Sequence, residues 1–177
     1  MSDGRRTLRT LVYRAHHPRW SFAPTSGAGA ALHGGRFNRP GLECLYTSTS
    51  LGTAWLEAQQ GFAFKAQPML VCAYEVDCAD VLDLTAPAGR DAAGVSLETL
   101  GGAWEDAASS GGEPETWRLA DAWRADGAAG ILVPSFAARA TGRDVNAVFW
   151  TWGSEPPHRV EVIDEAGRLP RDDSSWQ

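Results

Sequence analysis

The sequence predicts an α+β domain, and three observations point to that class. Runs that read as strands recur along the 177 residues, at 10–15, 43–48, 69–76, 81–84, 130–133, 146–152 and 159–163. Clear helical patterning is confined to 50–60 and 116–126. The two kinds of element do not alternate in the regular strand–helix–strand order of a doubly wound sheet. A mixed β-sheet core with a few helices is therefore expected, as a single domain over residues 1–177.

The elements follow in order. Residues 10–15 form a first strand, and the Pro/Gly/Ser-rich stretch 19–32 (RWSFAPTSGAGAAL) reads as a mobile loop. Residues 35–38 are a short extended piece, after which Arg39-Pro40-Gly41 turns the chain. In the strand 43–48, Cys44 and Tyr46 share the face opposite Leu45 and Thr47. Ser50 can cap a helix running to about Gln60, with Leu51, Ala54, Trp55 and Ala58 in one apolar stripe. Glu57 lies about 100° from the centre of that stripe, which leaves it to face a cleft or solvent. Residues 69–76 (MLVCAYEV) are the clearest buried strand, and 81–84 reads as a further short one. The Gly/Ser-rich stretch 86–112 is expected to be an irregular excursion. Residues 116–126 form an amphipathic helix that Gly127 stops, and three strands complete the chain.

An apolar content of 44% with 21% charged residues is ordinary for a globular protein and argues against general disorder. No run of about 18 apolar residues exists to cross a membrane, and the N-terminus lacks the apolar stretch of a secretory signal. Three cysteines without framework spacing suggest reduced thiols and a cytoplasmic location. The net charge is −6, yet residues 1–40 carry seven arginines against one acid, Asp3. An acidic protein with arginine concentrated near one motif suits a small phosphorylated ligand better than a long nucleic acid. Direct nucleic-acid and membrane partners are not expected. Neither is a metal: His16, His17, His33 and His158 show no ligand spacing, and Cys72-x5-Cys78 is not a zinc pair. The chain has no GxxxxGK loop and no GxSxG elbow, and GAGAAL at Gly27 lacks a third glycine.

Against these absences stands one compact constellation. Tyr46 follows Arg36 by ten positions, and Glu57 follows Tyr46 by eleven. Arginine can hold a pyrophosphate bidentately, tyrosine can stack on a nicotinamide ring, and a carboxylate can stabilise an oxocarbenium-like ribose. One carboxylate suffices when the leaving group is nicotinamide, which departs without protonation. Each residue also has a plain structural reading: a surface arginine after Gly34-Gly35, a packing tyrosine, a solvated glutamate. Ser48 and Asn146 are further substrate-binding candidates, as is Ser135, which follows a strand and Pro134. Ser50 reads mainly as a cap, and Trp20 is a candidate to cover a bound ring.

The segments YRAHHPRW, HGGRFNRPG, CLYTSTSLGTAWLEA, ILVPSFAA, NAVFWTWG and RLPRDDSSW resemble those of the RES-domain family across nearly the whole chain. The resemblance implies a fold similar to diphtheria-type ADP-ribosyltransferases and an NAD+-consuming toxin of a bacterial toxin–antitoxin pair. Carried over by position, Arg36, Tyr46 and Glu57 match the NAD+-binding and catalytic set, and Ser135 matches the serine of the family's name. NAD+ is then the substrate, cleaved by hydrolysis or phosphorolysis. The alternative is mono-ADP-ribosylation of a cellular protein, which would make that protein the acceptor. The implied partner is an antitoxin with an Xre-like helix-turn-helix domain. Two departures are visible. Phe37 and Arg39 stand where family members often have tryptophan and serine, so Arg39 is a candidate to alter the phosphate site. Gln59, two residues after Glu57, replaces the second glutamate of arginine-modifying transferases.

Overall fold

The computed structural model describes residues 4–59 and 67–177. In chain order its elements are β1 (Arg5–His16), α1 (Ala28–His33), β2 (Leu45–Ser48), α2 (Leu51–Ala58), β3 (Leu70–Asp83) and α3 (Pro87–Ala92). There follow α4 (Leu97–Leu100), α5 (Trp104–Ser109), α6 (Glu115–Ala125), β4 (Gly130–Pro134), β5 (Val145–Phe149) and β6 (His158–Val162). The architecture is α+β, as the patterning predicts. None of the described helices is long and apolar enough to cross a membrane.

β1 and β3 are the longest strands because they pair with each other antiparallel, from Arg5↔Leu82 to His16↔Leu70. The runs 69–76 and 81–84, expected as two strands, are thus one element. Its irregularity is a bulge: the register slips between Arg6 and Leu8, and Asp80 adopts a left-handed φ of +60°. There the far edge of β3 changes neighbours. Tyr74–Cys78 pair with β6, whereas Val81–Asp83 run parallel to β4. β4 pairs with β5, β5 with β2, and β2 touches β1 at Tyr13↔Ser48. Five strands therefore close on themselves, and β6 extends the sheet outside the ring.

Strand alternation divides the core between the two faces of this sheet. Leu8, Val12, Leu45, Tyr74, Leu132 and Phe149 pack on one side, and Phe37, Leu100, Trp123, Ile131, Val133 and Trp150 on the other. β4 is buried on both faces, which explains its unbroken GILV run. Cys44 and Tyr46 fall on the second side and Leu45 on the first, as the pattern requires.

Both stretches expected to be irregular need correction. Residues 86–112 are not irregular: they contain α3, α4 and α5, anchored by buried Val95 and Leu100. Helices of four to six residues show too little periodicity to be recognised in a sequence. Likewise, 19–32 begins within a 3-10 turn at Pro18–Trp20 and contains most of α1.

The orientation of α2 also departs from the pattern. Ser50 caps it, accepting from Thr53 N at 3.0 Å, but Leu51 and Trp55 are 56% and 36% exposed. Thr53 and Ala54 are the buried residues. The helix docks through a polar contact, Thr53 Oγ1 donating to Asp144 Oδ1 at 2.7 Å, which outweighs the apolar stripe. Glu57 lies between Thr53 and Ala54 on the helical wheel and so faces inward. The expected end of this helix, Gln60, falls outside the described residues.

Candidate active site

The inward face of α2, the open face of β2 and β5, the N-terminal end of α5 and the 34–38 turn enclose a cleft of about 470 Å³. That size suits a small-molecule site. Arg36, Tyr46, Ser48, Glu57 and Asn146 all line it. The three residues of the sequence constellation thus meet in one cavity.

The turn that carries Arg36 is held from several sides. Gly34 has φ +74°, a conformation that a side chain would strain. A Cβ on Gly35 would lie 2.6 Å from the Tyr46 hydroxyl oxygen, so the backbone passes where only glycine fits. The buried Asn38 amide donates to the carbonyls of Ala30 at 2.8 Å and Leu42 at 2.9 Å. Two tryptophans clasp the turn through their indole N–H groups: Trp117 donates to Gly35 O at 2.7 Å and Trp150 to Phe37 O at 2.9 Å. Sequence reasoning missed Asn38, Trp117 and Trp150 as supports. Only HGGRFN hinted at the first.

Tyr46 is part of the same device. Its hydroxyl accepts from Phe37 N at 2.9 Å and donates to Asn38 Oδ1 at 2.8 Å. Burial is the main cause pushing this phenol well above its ordinary pKa, so it stays a neutral donor. The hydroxyl is committed to the turn while the ring lines the cleft.

Arg36 donates through Nη1 to the carbonyls of Leu100 at 3.2 Å and Gly102 at 2.6 Å. Its guanidinium lies 5.0 Å from the centroid of Phe136. Burial lowers its pKa, with Glu57 the strongest of the groups opposing that shift. A second guanidinium, Arg14, also lines the cleft and is held by the carbonyls of Pro24 at 3.1 Å and Ser26 at 3.0 Å. The sequence showed Arg14 only as one of seven N-terminal arginines.

Glu57 is gripped by residues distant in the chain. Ser135 Oγ donates to its Oε1 at 2.6 Å, and Asn146 Nδ2 donates to the same oxygen. Asn146 Oδ1 in turn accepts from Ser48 Oγ at 2.7 Å, across a β2–β5 register that places the two residues opposite each other. Ser135 Oγ also accepts from Ala137 N at 3.2 Å; this serine is buried and lies behind the carboxylate, outside the cleft lining. Ser48, Ser135 and Asn146 thus form a cradle for Glu57.

Other candidates lie elsewhere. Arg39 is not a cleft residue: its Nε donates to Asp121 at 2.9 Å and its Nη2 to Glu113 at 2.7 Å, over the ring of Trp117. Trp20 is exposed and does not line the cleft. Gln59 is buried, with its amide directed at the Met69 sulfur at 3.9 Å. Cys44 borders the cleft, but burial pushes its thiol up, which makes it a poor nucleophile. Among the described residues, no group of three or more His, Cys, Asp or Glu is placed to hold a metal ion.

The sequence profile of the RES domain matches residues 11–172, nearly the whole chain. The protein belongs to the RES domain family. Among solved structures, this RES chain is similar to one from the M. tuberculosis MbcT–MbcA toxin–antitoxin complex. The TM-score is 0.60 at 23% identity, covering 92% of this chain and 86% of the other, so the common ground is the fold. No protein of curated function matches the sequence.

Proposed function

We propose that this RES-domain protein cleaves the nicotinamide–ribose bond of NAD+ in the cytoplasm, as the toxin of a type II toxin–antitoxin pair. One observation carries the reading: a carboxylate held by Ser135 and Asn146 on the wall of a cleft that also presents Arg36 and Arg14.

Arg36 and Arg14 supply positive charge for the pyrophosphate, and the Tyr46 ring supplies an apolar face for nicotinamide. Nη1 of Arg36 is engaged by backbone, while Nε and Nη2 donate to none of the described residues and form the edge that meets an anion. Glu57 stands against the ribose. As the C1′–N bond breaks, its electron pair passes to the pyridine nitrogen and neutral nicotinamide leaves. The carboxylate stabilises the cationic sugar until a nucleophile adds to C1′. Water yields ADP-ribose and a proton, and inorganic phosphate yields the 1-phosphate. The cradle fixes the Glu57 rotamer, so no reorganisation is needed at the moment of bond breaking.

An antitoxin with an Xre-like helix-turn-helix domain completes the reading. Its support is the family, the toxin–antitoxin complex that shares the fold, and exposed apolar side chains on the helices that flank the cleft. Leu32 on α1 is 72% exposed, and Leu51 and Trp55 project from α2.

Purified protein incubated with NAD+ should release free nicotinamide, and Glu57→Gln should reduce the release by about 100-fold or more. Absence of release with and without phosphate would remove this activity. Labelled NAD+ in cell lysate separates the transferase alternative, in which a single protein band acquires the label. The buried amide at Gln59 supports a small acceptor over a protein arginine.

A further inference from the structure

We infer that Trp104 is a substrate-binding residue, its indole providing the face on which a flat heteroaromatic base of the nucleotide stacks. The inference rests on the nucleotide reading above and extends it to a residue in the 86–112 excursion.

Three tryptophans of the described residues are pinned by their indole N–H. Trp117 donates to Gly35 O, Trp150 to Phe37 O and Trp152 to Thr25 O at 3.0 Å. Trp104 differs. It is half-buried and lines the cleft, and its N–H donates to none of the described residues. A tryptophan in a packing role normally finds a partner for that group. Its ring sits 6.5 Å from that of Trp117, tilted by 44°, so one side is backed by an aromatic neighbour that is itself fixed.

The backbone under Trp104 is fixed as well. Arg36 holds the carbonyls of Leu100 and Gly102, and Trp104 N donates to Gly102 O at 2.9 Å. A Cβ on Gly101 would approach Phe136 to 2.9 Å, so the backbone here passes close against the ring over which the Arg36 guanidinium lies. The same guanidinium therefore fixes the Trp104 segment through Nη1 and presents its other edge to an anion. A nucleotide phosphate on Arg36 brings an attached base within reach of the adjoining indole. Adenine and nicotinamide share the flat aromatic chemistry, and the experiment separates them.

The indole N–H resonance of Trp104 is assigned by its loss in Trp104→Phe. AMP and ADP-ribose are added to the wild type, and nicotinamide mononucleotide and NAD+ to Glu57→Gln. The expected result is a shift of that resonance, with AMP if the base is adenine and with nicotinamide mononucleotide if it is the pyridine. In turnover, Trp104→Ala should raise KM for NAD+ about tenfold or more, with a smaller effect on kcat, and Trp104→Phe should restore most of the loss. A resonance that none of the four nucleotides moves, or a KM unchanged in a folded Trp104→Ala, overturns the assignment. A shift with AMP but no nicotinamide release would sink the NAD+-cleaving reading and leave Trp104 in place. Release with an unmoved Trp104 would do the reverse, and neither release nor shift would overturn both.

Discussion

Ser135 Oγ lies 2.6 Å from Oε1 of Glu57, although the two residues are 78 positions apart. The serine sits behind the carboxylate, so its effect on a bound sugar passes through Glu57. Glu57→Gln should reduce nicotinamide release by about 100-fold or more, mainly in kcat. Ser135→Ala should reduce kcat about tenfold and leave KM nearly unchanged, with partial recovery in Ser135→Thr. Steady-state kinetics on the three variants check this. A Ser135→Ala effect confined to KM would instead mark a direct substrate contact.

Tyr46→Phe keeps the ring but leaves Phe37 N and Asn38 Oδ1 without the hydroxyl that joins them. Loss of a partner for buried polar groups costs about 1–3 kcal/mol. Urea unfolding should show a lower midpoint with an unchanged slope. Equal stability would mean that the hydroxyl does not secure the turn.

Gly35→Ala should disturb the same turn by steric means. The added methyl meets the Tyr46 hydroxyl at 2.6 Å and Asn38 Oδ1 at 2.8 Å, both held by other bonds. Overpacking of this kind costs about 1–3 kcal/mol. Gly142→Ala, with nothing within 4 Å of the new methyl, is the control and should be tolerated. Paired thermal melts and nicotinamide-release assays would reveal the contrast.

His16 makes stability depend on pH. Both ring nitrogens are buried without a hydrogen-bond partner among the described residues, and burial, helped by Arg14 and His17, lowers its pKa from 6.5 to about 4. Between these values the unfolded chain binds the proton and the folded chain does not, so stability falls as pH drops from about 6.5 to about 4. A His16→Phe variant lacks this titrating group, and its melting temperature should decline less steeply over the same window. Parallel slopes for variant and wild type would contradict the assignment.

Arg39→Gln should leave KM for NAD+ within about twofold, because this arginine pairs with Asp121 and Glu113 instead of lining the cleft. A large rise in KM would place it back at the phosphate site.

Local chemistry is what the sequence by itself determined: the α+β class, the Ser50 cap, the alternation that puts Tyr46 opposite Leu45, and an Arg36–Tyr46–Glu57 set confined to 22 residues. The cap and the alternation follow from short spacings that set which side chains share a face, the class from the order of such runs, and the set from residue types ten and eleven positions apart. Tertiary structure alone decided the rest: closure of five strands into a ring, the inward turn of Glu57 past the Leu51/Trp55 stripe, the removal of Arg39 to α6, and the use of Ser135 and Asn146 as a cradle. Those side-chain outcomes depend on hydrogen bonds that bridge from 74 positions, Arg39 to Glu113, to 91, Thr53 to Asp144. No periodic pattern encodes such a bond, because its existence depends on how separate elements pack once each has formed.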